Sequence, residues 1–297
     1  MRNHRSLLAV ASLTALLTLS ACAGEGSKGG EQPGPTQDTS TASRSEDPSP
    51  SPSDAPTAAS ASVPLYFAGD TPQGTRLFRE FQRVAGDVLT ETALLVAGGS
   101  PIDPDYRTLW PGGSVSGAAV SGEVIEVTLN ADAFTGAPDG MRKGEARLAI
   151  QQMIYSLQGV QQERLPVQFV RTSGPQRLFG IDVSKPIRQG DWMTYLAMVN
   201  VTNPAQGATV DGDTLTADGV ASSFEATVEW QILRDDEVVL DGFATAEGWL
   251  ERLYPWEVEI DVSSLAPGDY TFGAKTADPS DGEGGGPTTD TKEFTLR

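Results

Sequence analysis

Histidine and cysteine are almost absent from this sequence, since its 297 residues contain one of each, His4 and Cys22. A single cysteine cannot close a disulfide within the chain. Cationic residues are also scarce, with 21 Lys and Arg against 40 Asp and Glu, which gives a net charge of −19. The apolar run at residues 7–19 is too short for a membrane-spanning helix, which needs roughly 20 apolar residues.

The excess negative charge is concentrated in the last third of the chain. The net charge is −4 over residues 23–62, −1 over residues 63–189 and −16 over residues 190–297. Binding to nucleic acid requires a cationic face, and binding flat on anionic lipid requires basic residues as well. The composition therefore excludes nucleic acid as a partner and argues against adsorption to an anionic lipid surface.

The surroundings of Cys22 resemble the lipobox of bacterial lipoproteins. Arg2 and Arg5 precede the apolar run, and the sequence Leu19-Ser20-Ala21-Cys22 follows it. The resemblance implies removal of residues 1–21 as a signal peptide, acylation of Cys22, palmitate included, and attachment to the extracytoplasmic face of the cell membrane. Acyl chains anchor a protein because each buried CH₂ contributes about 0.8 kcal/mol. The alternative is an ordinary secreted protein with a chance cysteine.

Loss of residues 1–21 would leave a mature chain without histidine, and Cys22 would carry lipid. Ser-His-Asp and Cys-His catalysis are then excluded, as are zinc sites built from cysteine and histidine. We predict no catalytic, cofactor-binding or metal-binding residues.

Residues 22–62 predict a disordered tether behind the lipidated cysteine. They consist mainly of Ser, Thr, Pro, Gly, Ala and acidic residues, which cannot bury enough apolar surface to offset the entropy of ordering. Serine and threonine beside proline also fit an O-glycosylated stalk.

Residues 63–189 predict an α+β domain. Residues 75–84 fit either a strand or a helix. With the strand chosen, the predicted order is β-β-α-β-β-α-β, and both helices are expected to pack on one sheet. The remaining predicted elements are a strand at 63–69, a helix from an N-cap at Asp87 to Gly98, a hairpin around Ser121-Gly122, a helix at 144–157 ended by Gly159, and a strand at 165–171.

Five blocks in this region resemble, in order, the GerMN domain of sporulation and germination proteins. They read VPLYFAG, LLVAGGSP, LWPGGSVSGAAVSGEVIEVTLN, EARLAIQQMIYSLQGV with LPVQFV, and LFGIDVSKPIR, and they span about residues 63–188. Two features depart from the family pattern: Arg83 matches its arginine only loosely, and the loop at 111–113 lies in a longer insertion. The resemblance carries over no catalytic residues.

Residues 190–297 predict an immunoglobulin-like β-sandwich of short strands and turns. Phe224, Ala226, Val228, Trp230 and Ile232 alternate with polar residues, which is typical of a half-buried strand. The segments VTNPAQGATVDGDTLTADGVASSFEATVEWQIL and PGDYTFGAKTADPSDG resemble the Gmad-type immunoglobulin-like domain of spore germination proteins, over about residues 193–297.

Three groups of side chains are candidates for binding. Trp249, Tyr254 and Trp256 form an aromatic cluster that predicts either a surface for sugar or peptide, or packing within the sandwich. Two acidic loops could bind calcium but lack EF-hand spacing, so solvated turns are the favoured interpretation. These loops contain Asp211, Asp213 and Asp218, and Asp278, Asp281 and Glu283. Arg76, Arg79 and Arg83 predict a solvated basic face.

These patterns favour a non-enzymatic lipoprotein of the cell envelope that binds a protein partner in assembly or regulation. The first alternative is a lipoprotein that recognises cell-wall glycan or a small solute, which the aromatic cluster suggests. The second is a hydrolase that uses two carboxylates.

Overall fold

The computed structural model describes residues 60–130, 133–278, 283 and 285–297. The predicted signal peptide, Cys22 and most of the predicted tether lie outside these residues. The first strand begins at Ser60 and pairs it with Ala85, so residues 60–62, which were predicted as tether, belong to the fold.

The first domain confirms the predicted order β-β-α-β-β-α-β and adds a small hairpin after it. Its elements are β1 (Ser60–Thr71), β2 (Gly74–Ala85), α1 (Val88–Gly98), β3 (Val115–Ser121), β4 (Val124–Leu129), α2 (Lys143–Gln161), β5 (Val167–Arg171), β6 (Arg177–Leu178) and β7 (Ile181–Asp182).

The strands of this domain do not form a single sheet, so that part of the prediction is wrong. Strands β1 and β2 pair with each other along their whole lengths, while β3, β4 and β5 form a separate sheet in which β5 runs parallel to β4. Helix α2 packs against β1 and α1, and α1 packs against β3. Side chains of both sheets and both helices meet in one core.

The helix ends show where local signals succeed and fail. Asp87 caps α1 as predicted, because its Oδ1 accepts a hydrogen bond of 2.8 Å from the Thr90 amide. Gly159 does not end α2, which continues to Gln161 and stops where Gln162 adopts a left-handed backbone. A Cβ on Gly159 would lie 2.6 Å from Cγ of Pro64 in β1, so the glycine allows close packing rather than termination.

The second domain is the predicted two-sheet sandwich, preceded by the short helix α3 (Trp192–Tyr195). Its strands are β8 (Val199–Asn203), β9 (Ala208–Val210), β10 (Thr214–Ala221), β11 (Thr227–Arg234), β12 (Glu237–Thr245), β13 (Tyr254–Asp261), β14 (Gly268–Thr276) and β15 (Thr289–Leu296). The sheets have the orders β13-β10-β8 and β12-β11-β14-β15-β9.

The alternation predicted for β11 holds only from Thr227 onward. Val228, Trp230 and Ile232 point into the sandwich core. Phe224 and Ala226 instead lie in a short 3₁₀ turn, where Glu225 and Ala226 have left-handed backbones with φ of 52° and 60°. This turn moves Phe224 out of the strand and leaves it exposed, contrary to the prediction.

A small apolar cluster lies between the two main cores. Leu77, Leu148, Tyr155 and Leu196 are buried there, and Leu253 of the sandwich packs against them. Within the described ranges, no helix combines the length and apolarity needed to cross a membrane.

Candidate functional site

The two domains meet around a buried ion cluster. Nζ of Lys292 in β15 donates to Asp103 Oδ2 at 2.5 Å, to Asp290 Oδ1 at 2.9 Å and to the Tyr106 hydroxyl at 2.6 Å. These three acceptors match the three protons of an ammonium group. Asp103 and Tyr106 belong to the loop after α1, so the cluster connects the first domain to the last strand of the second.

Each acid in the cluster has further hydrogen-bond donors. The Tyr106 hydroxyl donates to Asp290 Oδ1 at 2.5 Å, and the Val201 amide donates to Asp290 Oδ2 at 2.6 Å. Burial raises the pKa of Asp290 despite the attraction of Lys292. Burial, Asp290 and Asp103 together raise the pKa of the Tyr106 hydroxyl well above its ordinary value, so this hydroxyl stays protonated and remains a donor.

Glu80 fixes the loop that supplies Asp103. Its carboxylate is buried and accepts the amides of Ile102 and Asp103, each at 2.9 Å. Tyr106 then stacks on Phe78 of β2, with ring centroids 5.0 Å apart. The long insertion noted in the sequence is therefore an ordered connector to the second domain.

Two further sets of contacts hold the domains together. The Arg79 amide donates to Asn200 Oδ1 at 2.7 Å, and its guanidinium donates to Thr202 Oγ1 at 3.0 Å. At the β1–β2 turn, the Gln73 side chain donates to the Gly286 carbonyl at 2.7 Å. Arg79 thus points into the junction rather than forming a solvated basic face. The two domains therefore pack as one unit.

An apolar surface lies beside this junction, and we call it the junction patch: Met193, Met198, Phe224, Trp249 and Leu250. Met193, Phe224 and Leu250 are 47%, 42% and 58% exposed. Phe224 and Trp249 contact edge to face, with ring centroids 5.3 Å apart. Met193, Met198 and Phe224 also line a groove of about 400 Å³. The patch combines residues from the segment between the domains with residues of the sandwich.

The loops that carry the patch adopt unfavourable backbone conformations. Leu250 has φ of 72°, a left-handed conformation that costs a non-glycine residue on the order of 1–3 kcal/mol. Its amide donates to Ser222 Oγ at 2.9 Å, which helps to fix this geometry. With Glu225 and Ala226 also left-handed, both loops that carry the patch contain such residues. Conformations of this kind are concentrated at functional sites.

The structure separates the three residues of the predicted aromatic surface. Trp256 is 3% exposed in the sandwich core, where its ring stacks on Phe272 at 6.4 Å, so it is removed from the predicted binding surface. It points inward because it alternates with exposed residues along β13. Trp249 is half-buried within the junction patch. Tyr254 is half-buried nearby, with the Arg252 guanidinium 4.7 Å from its ring centre.

In the part of the chain that the structure describes, the other candidates from the sequence are not assembled into sites. Among the described residues, no group of three or more His, Cys, Asp or Glu is placed to hold a metal ion, and Asp281 lies outside them. The buried carboxylates of Glu80, Asp103 and Asp290 bond to amides or to Lys292, and the adjoining cavity of about 60 Å³ is too small for a sugar ring.

Sequence reasoning missed the ion cluster, although a signal was present. Asp290 and Lys292 alternate with exposed residues at the same inward positions of β15 as the core residues Phe294 and Leu296. Opposite charges at successive core positions of one strand indicate a buried ion pair.

Two family models match the sequence. The model for sporulation and spore germination matches residues 64–171. The model for the immunoglobulin-like domain of bacterial spore germination matches residues 198–283. Both family resemblances found in the sequence are thereby confirmed. Families of this kind are generally not enzymatic. No curated protein matches the chain.

Three solved structures show weak similarity. The tandem GerMN domains of the sporulation protein GerM from Bacillus subtilis are 10% identical to this chain, with a TM-score of 0.33. The match covers 68% of this chain and 62% of that chain. An engineered protein is 16% identical, with a TM-score of 0.29, and the match covers 39% of this chain and 22% of that chain. This chain therefore spans less than a quarter of the engineered protein. CopC from Methylosinus trichosporium OB3b is 18% identical, with a TM-score of 0.23, and the match covers 34% of this chain and 92% of CopC. TM-scores of this size support no argument about function.

Proposed function

We propose that this chain, which carries a sporulation and spore germination domain followed by an immunoglobulin-like domain of bacterial spore germination, is a non-enzymatic lipoprotein of the cell envelope. Its lipidated Cys22 would attach it to the extracytoplasmic face of the cell membrane. Its folded unit would bind an envelope protein in assembly or regulation.

The junction patch is the observation that carries the interaction role. Large apolar side chains that stay exposed on a folded protein, on loops that contain unfavourable backbone conformations, indicate a docking surface. A half-buried tryptophan surrounded by smaller apolar groups is typical of the centre of an interface. Methionine side chains adapt to the shape of a partner, which suits Met193 and Met198 in the patch.

The surrounding charge favours a particular kind of partner. The sandwich region carries a net charge of −16, so a partner with basic residues around an apolar contact would be attracted, and a second acidic copy would be repelled. We therefore expect a different protein with a cationic rim as the partner.

Cross-linking in living cells tests the proposal. Tagged chains would be compared as wild type, Cys22→Ala, and Phe224→Ser combined with Leu250→Gly. Phe243→Ser is the matched control, because Phe243 is 69% exposed on β12, outside the patch. We expect one dominant membrane protein with wild type and with the control, and its loss from the other two variants.

Two results would count against the proposal. Capture that is unchanged by the patch variants would remove the patch as the docking surface. Hydrolysis of cell-wall polymer by the purified chain would remove the non-enzymatic role and favour the carboxylate hydrolase. The remaining alternative, recognition of wall glycan or a small solute, would be favoured by saturable glycan binding that is lost on substitution of Trp249 or Tyr254.

A further inference from the structure

A concave pocket of about 430 Å³ opens where α2 begins, and we call it the arginine pocket. Its lining comes from the first residues of β2, the first turns of α2 and the short helix α3. The lining residues that matter here are Arg76, Arg142, Glu145, Arg147, Leu148 and Tyr195. The volume lies within the usual range for small-molecule sites, roughly 300–1,000 Å³.

The charge of this pocket is opposite in sign to that of the chain. Three arginines and one glutamate line it, so the lining carries a net charge of +2, whereas the whole chain carries −19. A concave site lined mainly by one sign of charge attracts ligands of the opposite sign and raises their local concentration. The ligand that suits this pocket is therefore an anion.

Two of the three guanidinium groups have no carboxylate partner among the described residues. Arg76 donates only to the adjacent Thr75 carbonyl, from Nη1 at 3.0 Å. Arg147 forms no ion pair and no side-chain hydrogen bond in the described part of the chain. Glu145 is already engaged, because it accepts from the Arg142 amide at 2.8 Å and pairs with the Arg142 guanidinium at 3.2 Å.

The arginines of the pocket are accessible from solvent. The side chain of Arg142 is 80% exposed, Arg147 is also exposed, and Arg76 is half-buried. A guanidinium presents five N–H donors in a planar fork that matches the oxygens of carboxylates and phosphates. An anion that enters the pocket can therefore reach charged donors directly.

The apolar part of the lining suits a ligand with a small carbon skeleton. Leu148 is 6% exposed, and Tyr195 packs against the same small apolar cluster. Tyrosine offers a flat apolar face together with a hydroxyl that donates hydrogen bonds. The pocket thus combines cationic donors with a surface for an organic group.

The number of charges favours a phosphate monoester over a carboxylate. A phosphate monoester carries about −1.5 to −2 charges at pH 7 and has three acceptor oxygens. A carboxylate carries one negative charge and has two oxygens. The doubly charged group is therefore the better match for a lining of net charge +2.

We propose that the arginine pocket binds a phosphate monoester. The phosphate would accept hydrogen bonds from guanidinium groups of the wall, that of Arg147 among them, and the organic part would lie against Leu148 and Tyr195. A soluble sugar phosphate and the headgroup of phosphatidic acid both present this chemistry. The inference goes beyond the proposed docking of a protein.

Calorimetric titration of the full chain in a neutral detergent tests the inference. Glucose 6-phosphate carries the monoester, whereas glucuronate of similar size carries a carboxylate and glucose carries no charge. Dihexanoyl phosphatidic acid is compared with dihexanoyl phosphatidylcholine, which is a diester without net charge. We expect at least one of the two monoesters to bind at least tenfold more tightly than its controls. Binding of the sugar phosphate would identify a soluble source, and binding of phosphatidic acid alone a lipid headgroup.

Two variants locate the binding. Arg147→Gln removes a guanidinium without an ion-pair partner, and α2 should stay folded because glutamine and arginine have similar helix propensities. We expect it to weaken monoester binding at least tenfold. Arg83→Gln is the matched control, because Arg83 is exposed on β2 and does not line the pocket. Arg76 is not used, since it also lines the groove beside the junction patch.

Three results would overturn the inference. The first is binding of both monoesters no tighter than that of their controls. The second is undiminished binding by a folded Arg147→Gln chain, with folding checked by thermal denaturation. The third is an equal loss of binding in Arg83→Gln, which would show a general effect of charge rather than a site.

Discussion

The ammonium group of Lys292 lies 2.5 Å from the carboxylate of Asp103, although 189 residues separate them in the sequence. Their side chains are 4% and 1% exposed, so the pair is buried between the two domains. A buried charge is tolerated only when it is paired and hydrogen-bonded, and this cluster meets that requirement in the packed arrangement. The junction is therefore a specific interface, and the junction patch lies beside it.

Replacing Lys292 with methionine should destabilise the protein strongly. Lys292→Met keeps the shape of the side chain but leaves the carboxylates of Asp103 and Asp290 buried without a cation. Breaking one partner of a buried ion pair costs about 3–5 kcal/mol. Urea denaturation would measure this loss in the free energy of unfolding. Lys275→Met is the control, because its half-exposed pair with Glu229 should contribute no more than about 1 kcal/mol. Equal small losses would contradict the account.

Alkaline pH should loosen the junction. Burial lowers the pKa of Lys292, but Asp290 and Asp103 together outweigh this effect and hold it above its ordinary value of 10.5. A raised folded-state pKa gives stability that is complete below about 10.5 and is lost as pH rises through the folded value. The raised pKa of the Tyr106 hydroxyl also gives stability that is lost at alkaline pH. The raised pKa of Asp290 changes stability in the acid range instead.

Urea denaturation at pH 9 and pH 11 would show this dependence. The free energy of unfolding should fall between the two, and it should fall less in Lys292→Met. An identical fall in that variant would show that the ion cluster is not responsible.

Leu250→Gly should leave stability intact while abolishing partner capture. Glycine adopts the left-handed backbone of this position without strain, which offsets its greater entropy in the unfolded chain. We expect the free energy of unfolding to stay constant or rise by up to about 1 kcal/mol. Thermal denaturation and cross-linking in cells would be run on the same variant. A folded Leu250→Gly chain that still captures the partner would exclude this side chain from docking.

The two tryptophans of the predicted aromatic surface should behave differently. Trp256→Ala removes a ring from the sandwich core and should cost about 3–5 kcal/mol of the free energy of unfolding. Trp249→Ala removes a half-buried ring from the junction patch and should cost less than about 2 kcal/mol while weakening partner capture. Thermal shifts of the purified variants would check the order. A larger loss for Trp249→Ala would place it in the core instead.

Two glycines of α2 should respond in opposite directions to alanine. Helix propensity alone favours alanine over glycine by about 1 kcal/mol. Gly159→Ala should nevertheless destabilise the protein by about 1–3 kcal/mol, because the new methyl group meets Pro64. Gly144→Ala has open space around its Cβ and should be neutral or stabilising. Denaturation of both variants would test the close packing of α2 on β1, and a stabilising Gly159→Ala would contradict it.

Much of the fold could be predicted from short-range signals. The Asp87 cap, the hairpin at Ser121-Gly122 and the alternation of Val228, Trp230 and Ile232 depend on local chemistry that the sequence shows directly. The end of α2 could not be predicted from Gly159, because its role depends on Pro64 in a distant strand. Phe224 was misplaced because the preference of its segment for a strand was overridden by a turn with left-handed residues.

The candidate site was harder to predict, since its parts are far apart in the chain. Trp249 stood out as an aromatic residue, but Met193 and Phe224 reach it only through folding. The alternation along β15 indicates that Lys292 is buried, but no local pattern does so for Asp103. The pairing of these two residues depends on how the two domains dock. Periodicity describes a face within one element and does not identify the surface that covers it.

The two domains form one body that is joined at the buried ion cluster. Nitrogen-15 relaxation of backbone amides in the full chain tests this arrangement, because it gives a rotational correlation time for each domain separately. We expect one common correlation time for amides of α2 and β11 in the wild type. Different times for these two elements, with each domain tumbling independently, would contradict it.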